Sequence, residues 1–302
     1  MAATSVHLPA AQALPLEAGD DRRMVGVAFA AAGFAAAALW LYAPVIVKLA
    51  QNWWVDPDYS HAFIVVPIAA VLVWNRRGEF SDSRSRPRMA GLFLVIAALG
   101  LLILGTLGAE LFLTRVSLLL LAAGAVVFLY GWRHLRLLAF PLLLVALTIP
   151  IPAIVISRLT LSLQLCASTM AETLLWALRI PVLREGNVLW LPNATLQVAE
   201  ACSGIRSLTA LIALALLVAR FSDTRWFPRT VIILAAIPIA VLVNGLRVTA
   251  SAVGARLFGV AAVEGVVHEL LGWAMFLVAF ALMAACARIV AGRGLRPEVA
   301  PR

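Results

Sequence analysis

The chain has 302 residues, 63% of them hydrophobic, with a formal net charge of +9. A soluble domain is about 45–50% apolar, whereas runs here repeatedly reach the ~20 apolar residues that cross a hydrocarbon core. This excludes a soluble fold and predicts an all-α polytopic membrane protein. The basic charge is dispersed between spans, so it reads as arginine enrichment of cytoplasmic loops and not as a nucleic-acid footprint.

Residues 1–23 are polar and end in Asp20-Asp21-Arg22-Arg23. They read as a disordered cytoplasmic tail, because the apolar segment that follows is too long for a signal peptide. Residues 24–291 read as a single integral domain of about eight spans. After the first, 24–46, come Trp53, Trp54 and Tyr59, residues suited to a membrane interface. The second, 61–75, leads into a loop with Arg76, Arg77, Arg84, Arg86 and Arg88, which the positive-inside rule assigns to the cytoplasm. That assignment sets the alternation. Span three (89–108) exits, span four (113–131) returns to Arg133 and Arg136, and span five (137–152) exits and breaks at Pro150-Ile151-Pro152. Over 153–180 the apolar residues keep helical spacing but are interrupted by Ser157, Arg158, Ser162, Gln164, Ser168 and Glu172. This polar load suits an extracytoplasmic helix lying in the interface. Within 183–200, Pro192-Asn193 between Val/Leu/Trp and Thr/Leu/Val runs predicts a small β-hairpin. It belongs outside, because lipid would leave its backbone unsatisfied. Span six (203–220) re-enters, span seven (230–257) follows a loop with Arg225 and Arg229, and span eight (268–290) returns to a cytoplasmic tail, 292–302.

There are three cysteines, Cys166, Cys202 and Cys286, too few and too far apart for a disulfide framework or a CxxC metal site. No metal or cofactor is implied, and no P-loop, HExxH or GxSxG is present. Cys166 and Cys286 lie in apolar runs and read as small buried hydrophobes. Cys202 differs. It sits at the first turn of span six, where unpaired N–H groups favour a thiolate, and the Ser203 and Gly204 amides are candidate oxyanion donors. Arg247 is an intramembrane charge, a functional-site candidate by default. It lies roughly 28 Å beyond Pro228 along span seven, near the outer face of a ~30 Å core. Asn244 is one turn deeper on the same side.

His268 opens span eight at that outer level. His61 opens span two there and reads as a positioning or substrate-contact group, with Tyr59 and Glu200 in the same candidate substrate-binding set. Arg206, one turn beyond Cys202, is a candidate to hold a substrate carboxylate, to lower the thiol pKa, or to pair with Glu200, Glu264 or Glu269. His134, in an arginine-rich turn, reads as solvated. A thiol, an imidazole and a cation at one depth are what acyl transfer through a cysteine needs.

At these residues the chain resembles the exosortase family of bacterial membrane-embedded cysteine transpeptidases. The matching pieces are Asp58-Tyr59-Ser60-His61, Glu200-Ala-Cys-Ser-Gly-Ile-Arg-Ser207, Asn244-Gly-Leu-Arg-Val248, and His268 with Gly272-Trp273. The resemblance implies Cys202, Arg247 and His268 as the catalytic residues. It implies as partners single-pass membrane proteins with a C-terminal signal made of a Pro-Glu-Pro motif, a membrane helix and a basic cluster. Cleavage beside the motif, on the periplasmic side of the inner membrane, would release the sorted protein or pass it to an acceptor, in association with exopolysaccharide production. Two other functions compete. A transporter predicts a polar path continuing across the bilayer, and a non-catalytic assembly factor for surface polysaccharide predicts a dispensable Cys202.

Overall fold

The computed structural model describes residues 18–82, 88–198, 205–222, 225–259 and 265–291, with side chains from residue 32 onward except at 80–82 and 291. The chain divides into two compact units, Met1–Val47 and Lys48–Arg302. The first holds the beginning of helix α1 (Ala18–Val55), which starts ahead of the expected boundary at residue 24. The rest of the expected N-terminal tail, and the tail 292–302, lie outside the described residues. All packing described below is within the second unit.

A 3-10 turn, Pro57–Tyr59, follows α1. It is set by proline at its first position and by the Asp56 carboxylate, which accepts from the Asp58 N–H at 2.9 Å. Then come α2 (Ala62–Asn75), the short α3 (Arg77–Asp82), α4 (Met89–Leu107), α5 (Leu111–Leu129), α6 (Trp132–Ala146) and α7 (Ala153–Ala177). Three strands, β1 (Leu183–Glu185), β2 (Val188–Leu191) and β3 (Ala194–Gln197), precede α8 (Ile205–Ser222), α9 (Trp226–Phe258) and α10 (Gly265–Ala291). Arg220, Arg256 and Arg288 lie in the last turns of α8, α9 and α10, where a cation complements the helix dipole.

Eight helices among the described residues are long and apolar enough to cross a membrane. The number agrees with the expectation, but the membership differs. Helix α6 is only 15 residues, because the chain leaves the helix before Pro150 and Pro152. It nevertheless runs beside α2 from end to end. Arg76 donates to the Leu137 carbonyl at 3.1 Å, and at the other end the Ile151 N–H donates to Tyr59 Oη at 3.0 Å. Helix α7, expected to lie in the interface, is 25 residues and qualifies for a span by length and composition. Its polar load is largely satisfied within the helix. The hydroxyls of Ser157, Ser162, Ser168, Thr169 and Thr173 each donate to the carbonyl four residues back.

The expected hairpin is a three-stranded antiparallel sheet in the order β1-β2-β3, with Leu189 opposite both Arg184 and Leu196. The additional strand β1 is turned into β2 at Gly186-Asn187, where Gly186 has φ +63°. The sheet is bound to α7. Arg184 pairs with Glu172 at 2.7 Å, and Asn187 Nδ2 donates to Gln164 Oε1 and to the Val198 carbonyl, both at 3.2 Å. At the far turn Asn193 donates to the Arg256 carbonyl near the end of α9 at 2.9 Å.

Two cores of different character share α9. Toward its start, α8, α9 and α10 pack through Ala215, Ala219, Ala236, Ala240, Ala279 and Ala287, with Leu211, Ile232 and Met283. Small residues that let backbones approach are how helices associate in lipid. Toward its end, Val248 and Ala252 pack with Ala167, Ala171 and Leu175 of α7 and with Val182, Leu189, Leu191 and Val198. That is a core of the kind a water-soluble domain builds, where each fully buried Leu or Val contributes about 1.5–3 kcal/mol. A third cluster, Val65, Ala69, Leu144 and Ala213, ties α8 to α2 and α6.

Candidate functional site

Helix α9 has 33 residues, about 50 Å at 1.5 Å per residue, well beyond a ~30 Å hydrocarbon core. Arg247 lies about 32 Å from Trp226 along that axis, where the alanine-rich core gives way to the core shared with the sheet. Asn244, one turn earlier, is buried.

Arg247 is held against α10. Its Nη2 lies 2.7 Å from His268 Nε2 and donates to the His268 carbonyl at 3.3 Å. A guanidinium has only donors, so Nε2 accepts with its lone pair, and the ring proton of this neutral imidazole is on Nδ1. Gly272, one turn after His268, makes room. A Cβ there would stand 3.1 Å from Arg247 Nη2 and 3.3 Å from Cζ. Two of the three residues predicted to carry the chemistry, 21 positions apart in sequence, are therefore in contact.

The third, Cys202, lies outside the described residues, as do Ser203, Gly204, Glu200 and Glu264. The described chain flanks Cys202 closely. Strand β3 ends at Gln197, and α8 begins at Ile205. Helix α8 packs against α9 and α10, and Arg206 in its first turn is within electrostatic reach of His268.

Among the described residues Arg206 pairs with Asp58, and not tightly; of the glutamates expected to meet it, Glu200 and Glu264 lie outside them. The Arg206 Nε donates to Asp58 Oδ1 at 3.4 Å, and Thr209 one turn on lies 3.5 Å from the Asp58 carbonyl. This brings the Asp58–His61 segment onto the start of α8. His61 Nδ1 is 3.2 Å from the Asp58 carbonyl, and its Nε2 is buried without a hydrogen-bond partner among the described residues. Tyr59 is buried, with its hydroxyl on the Ile151 N–H, so it acts here as a support and not as an exposed interfacial ring.

Sequence reasoning missed Arg115. It is 3% exposed in the first turns of α5 and donates to Asn52 Oδ1 at 2.6 Å. The signal was available, an arginine inside the apolar run Leu111-Phe-Leu-Thr-Arg-Val116. Two other readings are corrected. His134 is buried, with Nδ1 on the Tyr130 carbonyl at 2.8 Å, and Cys166 is exposed on α7. Among the described residues no three His, Cys, Asp or Glu side chains are grouped to hold a metal.

A family model described as transmembrane exosortase (Exosortase_EpsH) matches residues 53–285. The chain belongs to the transmembrane exosortase family. Neither a curated protein nor a solved structure matches it. The matched region runs from the end of α1 into α10 and contains every candidate site residue. Exosortases are in general membrane cysteine transpeptidases. For this exosortase the arginine and histidine that the sequence singled out meet where the first turn of α10 packs about two-thirds of the way along α9.

Proposed function

We propose that the protein is a cysteine peptidase or transpeptidase that cuts the C-terminal sorting signal of single-pass membrane proteins on the periplasmic side of the inner membrane. The observation that carries this reading is the 2.7 Å contact between Arg247 and His268. The Cys202 thiol gives its proton to the imidazole of His268, and the sulfur attacks the scissile carbonyl carbon. Arg247 turns from Nε2 to the developing oxyanion, which frees the lone pair that takes the thiol proton. The C–N bond then breaks, the imidazolium protonates the leaving amine, and a thioester remains on Cys202. Water or an acceptor amine resolves the thioester, giving a free or a transferred C-terminus. Asn244, Ser203 and Gly204 serve as oxyanion or positioning groups, His61 and Glu200 belong to the substrate side, and buried Tyr59 supports His61 from behind instead of touching substrate. A link to surface polysaccharide assembly goes with this role.

The levels of the contacts support the orientation. Helix α7 starts beside Ile151, which is bonded to Tyr59, next to the Asp58 that Arg206 holds. At Met170, about 25 Å along the helix, it is level with Gly245 of α9, against whose Cα Met170 packs. A helix crossing the bilayer would by then have changed depth by most of its thickness. On this reading helix α7 and the sheet form an extracytoplasmic cap, and the loops bearing Arg76, Arg133 and Arg225 are cytoplasmic.

The test is co-expression with a single-pass reporter carrying a Pro-Glu-Pro motif, a membrane helix and a basic tail. Cys202→Ala, Arg247→Ala and His268→Ala should each leave the reporter unprocessed while the enzyme stays folded in the membrane. Mass spectrometry of the wild type should find a thioester on Cys202, and the mature C-terminus then separates hydrolysis from transfer. Normal processing by Cys202→Ala would refute the reading.

A further inference from the structure

The sheet that covers the end of α9 has two edges, and only one is guarded. Strand β1 is three residues long, and its central Arg184 carries a charge tied to Glu172 of α7 at 2.7 Å. Short length and charge protect an edge strand from pairing with another chain. Strand β3, Ala194-Thr195-Leu196-Gln197, has neither a charge nor a proline. Its register shows what the edge offers. The Val198 N–H donates to the Asn187 carbonyl at 2.9 Å, so 187 and 198 form a hydrogen-bonded pair. Bonded and non-bonded pairs alternate along an antiparallel ladder. Leu196 and Ala194 therefore bond to Leu189 and Leu191. Thr195 and Gln197, opposite Trp190 and Val188, turn their N–H and C=O groups away from β2. Among the described residues none of these four groups has a hydrogen-bond partner.

The path of β3 leads toward the reacting pair. Asn193, just before the strand, is fixed to the Arg256 carbonyl of α9 at 2.9 Å. Val198, just after it, shares a buried cluster with Val248, the neighbour of Arg247. Positions 256 and 248 are about 12 Å apart along the helix, so β3 runs back along α9 toward the level where Arg247 meets His268. Leu196 and Ala194 pack onto that cluster, which leaves the Thr195 and Gln197 side chains exposed.

We propose that the β3 edge holds the substrate peptide as a fourth strand beside the bond that is cut. The inference rests on the function proposed above and adds how the peptide is gripped. Thr195 and Gln197 each donate one N–H and accept at one C=O, so the grip is on the main chain and fixes the extended form of the peptide. The competing occupant is a second copy of this chain, pairing β3 to β3. The level favours the substrate, whose scissile segment has to lie extended beside Arg247 and His268 for the proposed reaction.

The direct test is disulfide crosslinking of full-length enzyme in proteoliposomes, with Cys202→Ala, Cys166→Ser and Cys286→Ser removing the native thiols. Thr195→Cys or Gln197→Cys is combined with a cysteine scanned along the reporter outside its membrane helix. Crosslinking should peak at one reporter position for Thr195→Cys and two residues away for Gln197→Cys, because side chains on one face of a strand recur every second residue. Peaks without that offset, or no peak, would overturn the proposal. Enzyme crosslinked only to enzyme would do the same, and would show a second copy at the edge. Trapping needs no turnover, so it stands apart from the cysteine mechanism.

Kinetics give a second arm. Gln197→Pro removes an N–H that bonds nothing else in the described enzyme, so the thermal midpoint should hold. KM for the reporter should rise roughly 2- to 10-fold, the range of one hydrogen bond, with kcat little changed. An unchanged KM would refute the strand site. If Gln197→Pro does not fold, the crosslinking decides. KM is measured only on processing that Cys202→Ala abolishes, so loss of the strand site and loss of the cysteine mechanism give different results.

Discussion

Gly272→Ala separates the stability of the fold from the geometry of the site. A methyl at position 272 would stand 3.1 Å from Arg247 Nη2 and 3.3 Å from Cζ, so the guanidinium must retreat by a few tenths of an ångström. It cannot do so without stretching its 2.7 Å contact with His268 Nε2. Hydrogen bonds to a charged group contribute about 1.5–3 kcal/mol, and this one weakens beyond about 3.2 Å. If Arg247 reaches the oxyanion from this position, its displacement should lower turnover roughly tenfold or more, in keeping with the ~100-fold that a 1 Å misplacement can cost. The helix should respond in the opposite direction, since alanine in a helix interior is favoured over glycine by about 0.5–1 kcal/mol. The assay pairs reporter turnover in proteoliposomes with a thermal unfolding midpoint in detergent. Gly100→Ala is the control, because a Cβ at that position in α4 meets nothing within 4 Å. It should match the stability gain and leave turnover unchanged. Full turnover by Gly272→Ala, at an equal or higher midpoint, would refute a catalytic role for Arg247 in the place it holds beside His268.

Gly91→Ala should do the reverse of Gly272→Ala. Its Cβ would collide with the backbone of Phe128 where α4 crosses α5, so about 1–3 kcal/mol of stability should be lost, and turnover per folded molecule should hold. Asn187→Ala removes the side chain that joins α7 to the Val198 carbonyl. A loss of about 1 kcal/mol is expected, with faster amide exchange across Ala194–Val198 and lower turnover, because that segment leads directly into Cys202. Tyr59→Phe strands the Ile151 N–H and should lower the thermal midpoint by an amount equivalent to about 1–3 kcal/mol. An unchanged midpoint would mean that the N–H finds another partner.

What could be read from the sequence depended on the range of the interaction involved. Helices of 19 residues or more declare themselves by apolar run length, and the depth of Arg247 followed from counting rises along one helix. Depth alone put Arg247 and His268 at one level, but that they touch needed the packing of α9 on α10. The strand β1 was missed although Gly186-Asn187 is a two-residue turn signal, because Pro192-Asn193 already accounted for a hairpin. The polar load of α7 was legible, but that five of its hydroxyls close onto the helix's own carbonyls could be seen only with the helix in place. The Asp58–Arg206 pair joins residues 148 apart, and no local pattern announces it. Three glutamates nearer in sequence or in predicted depth were the natural candidates.

Breaking a peptide bond at a membrane sets two demands that conflict. The reacting groups are charged or polar, which lipid penalises by several kcal/mol per unsatisfied group. The substrate's anchor, in the proposed reaction, is a helix that must stay in lipid. In the proposed orientation helix α9, about 50 Å long, meets both by outgrowing the bilayer. Its first two-thirds pack through alanines, as helices do where water gives no driving force. Its last third is sheathed by α7 and the sheet in a Leu/Val core that forms only where there is water to escape. Arg247 stands where the two cores meet, with its guanidinium against His268 of α10. The same boundary fixes where the cysteine has to come from. Strand β3 belongs to the core shared with the sheet and α8 to the alanine-rich one, and Cys202 lies in sequence between these two elements. Moving Arg247 off that boundary by lengthening α9 one turn below it should therefore disable the enzyme even with all three reactive side chains intact.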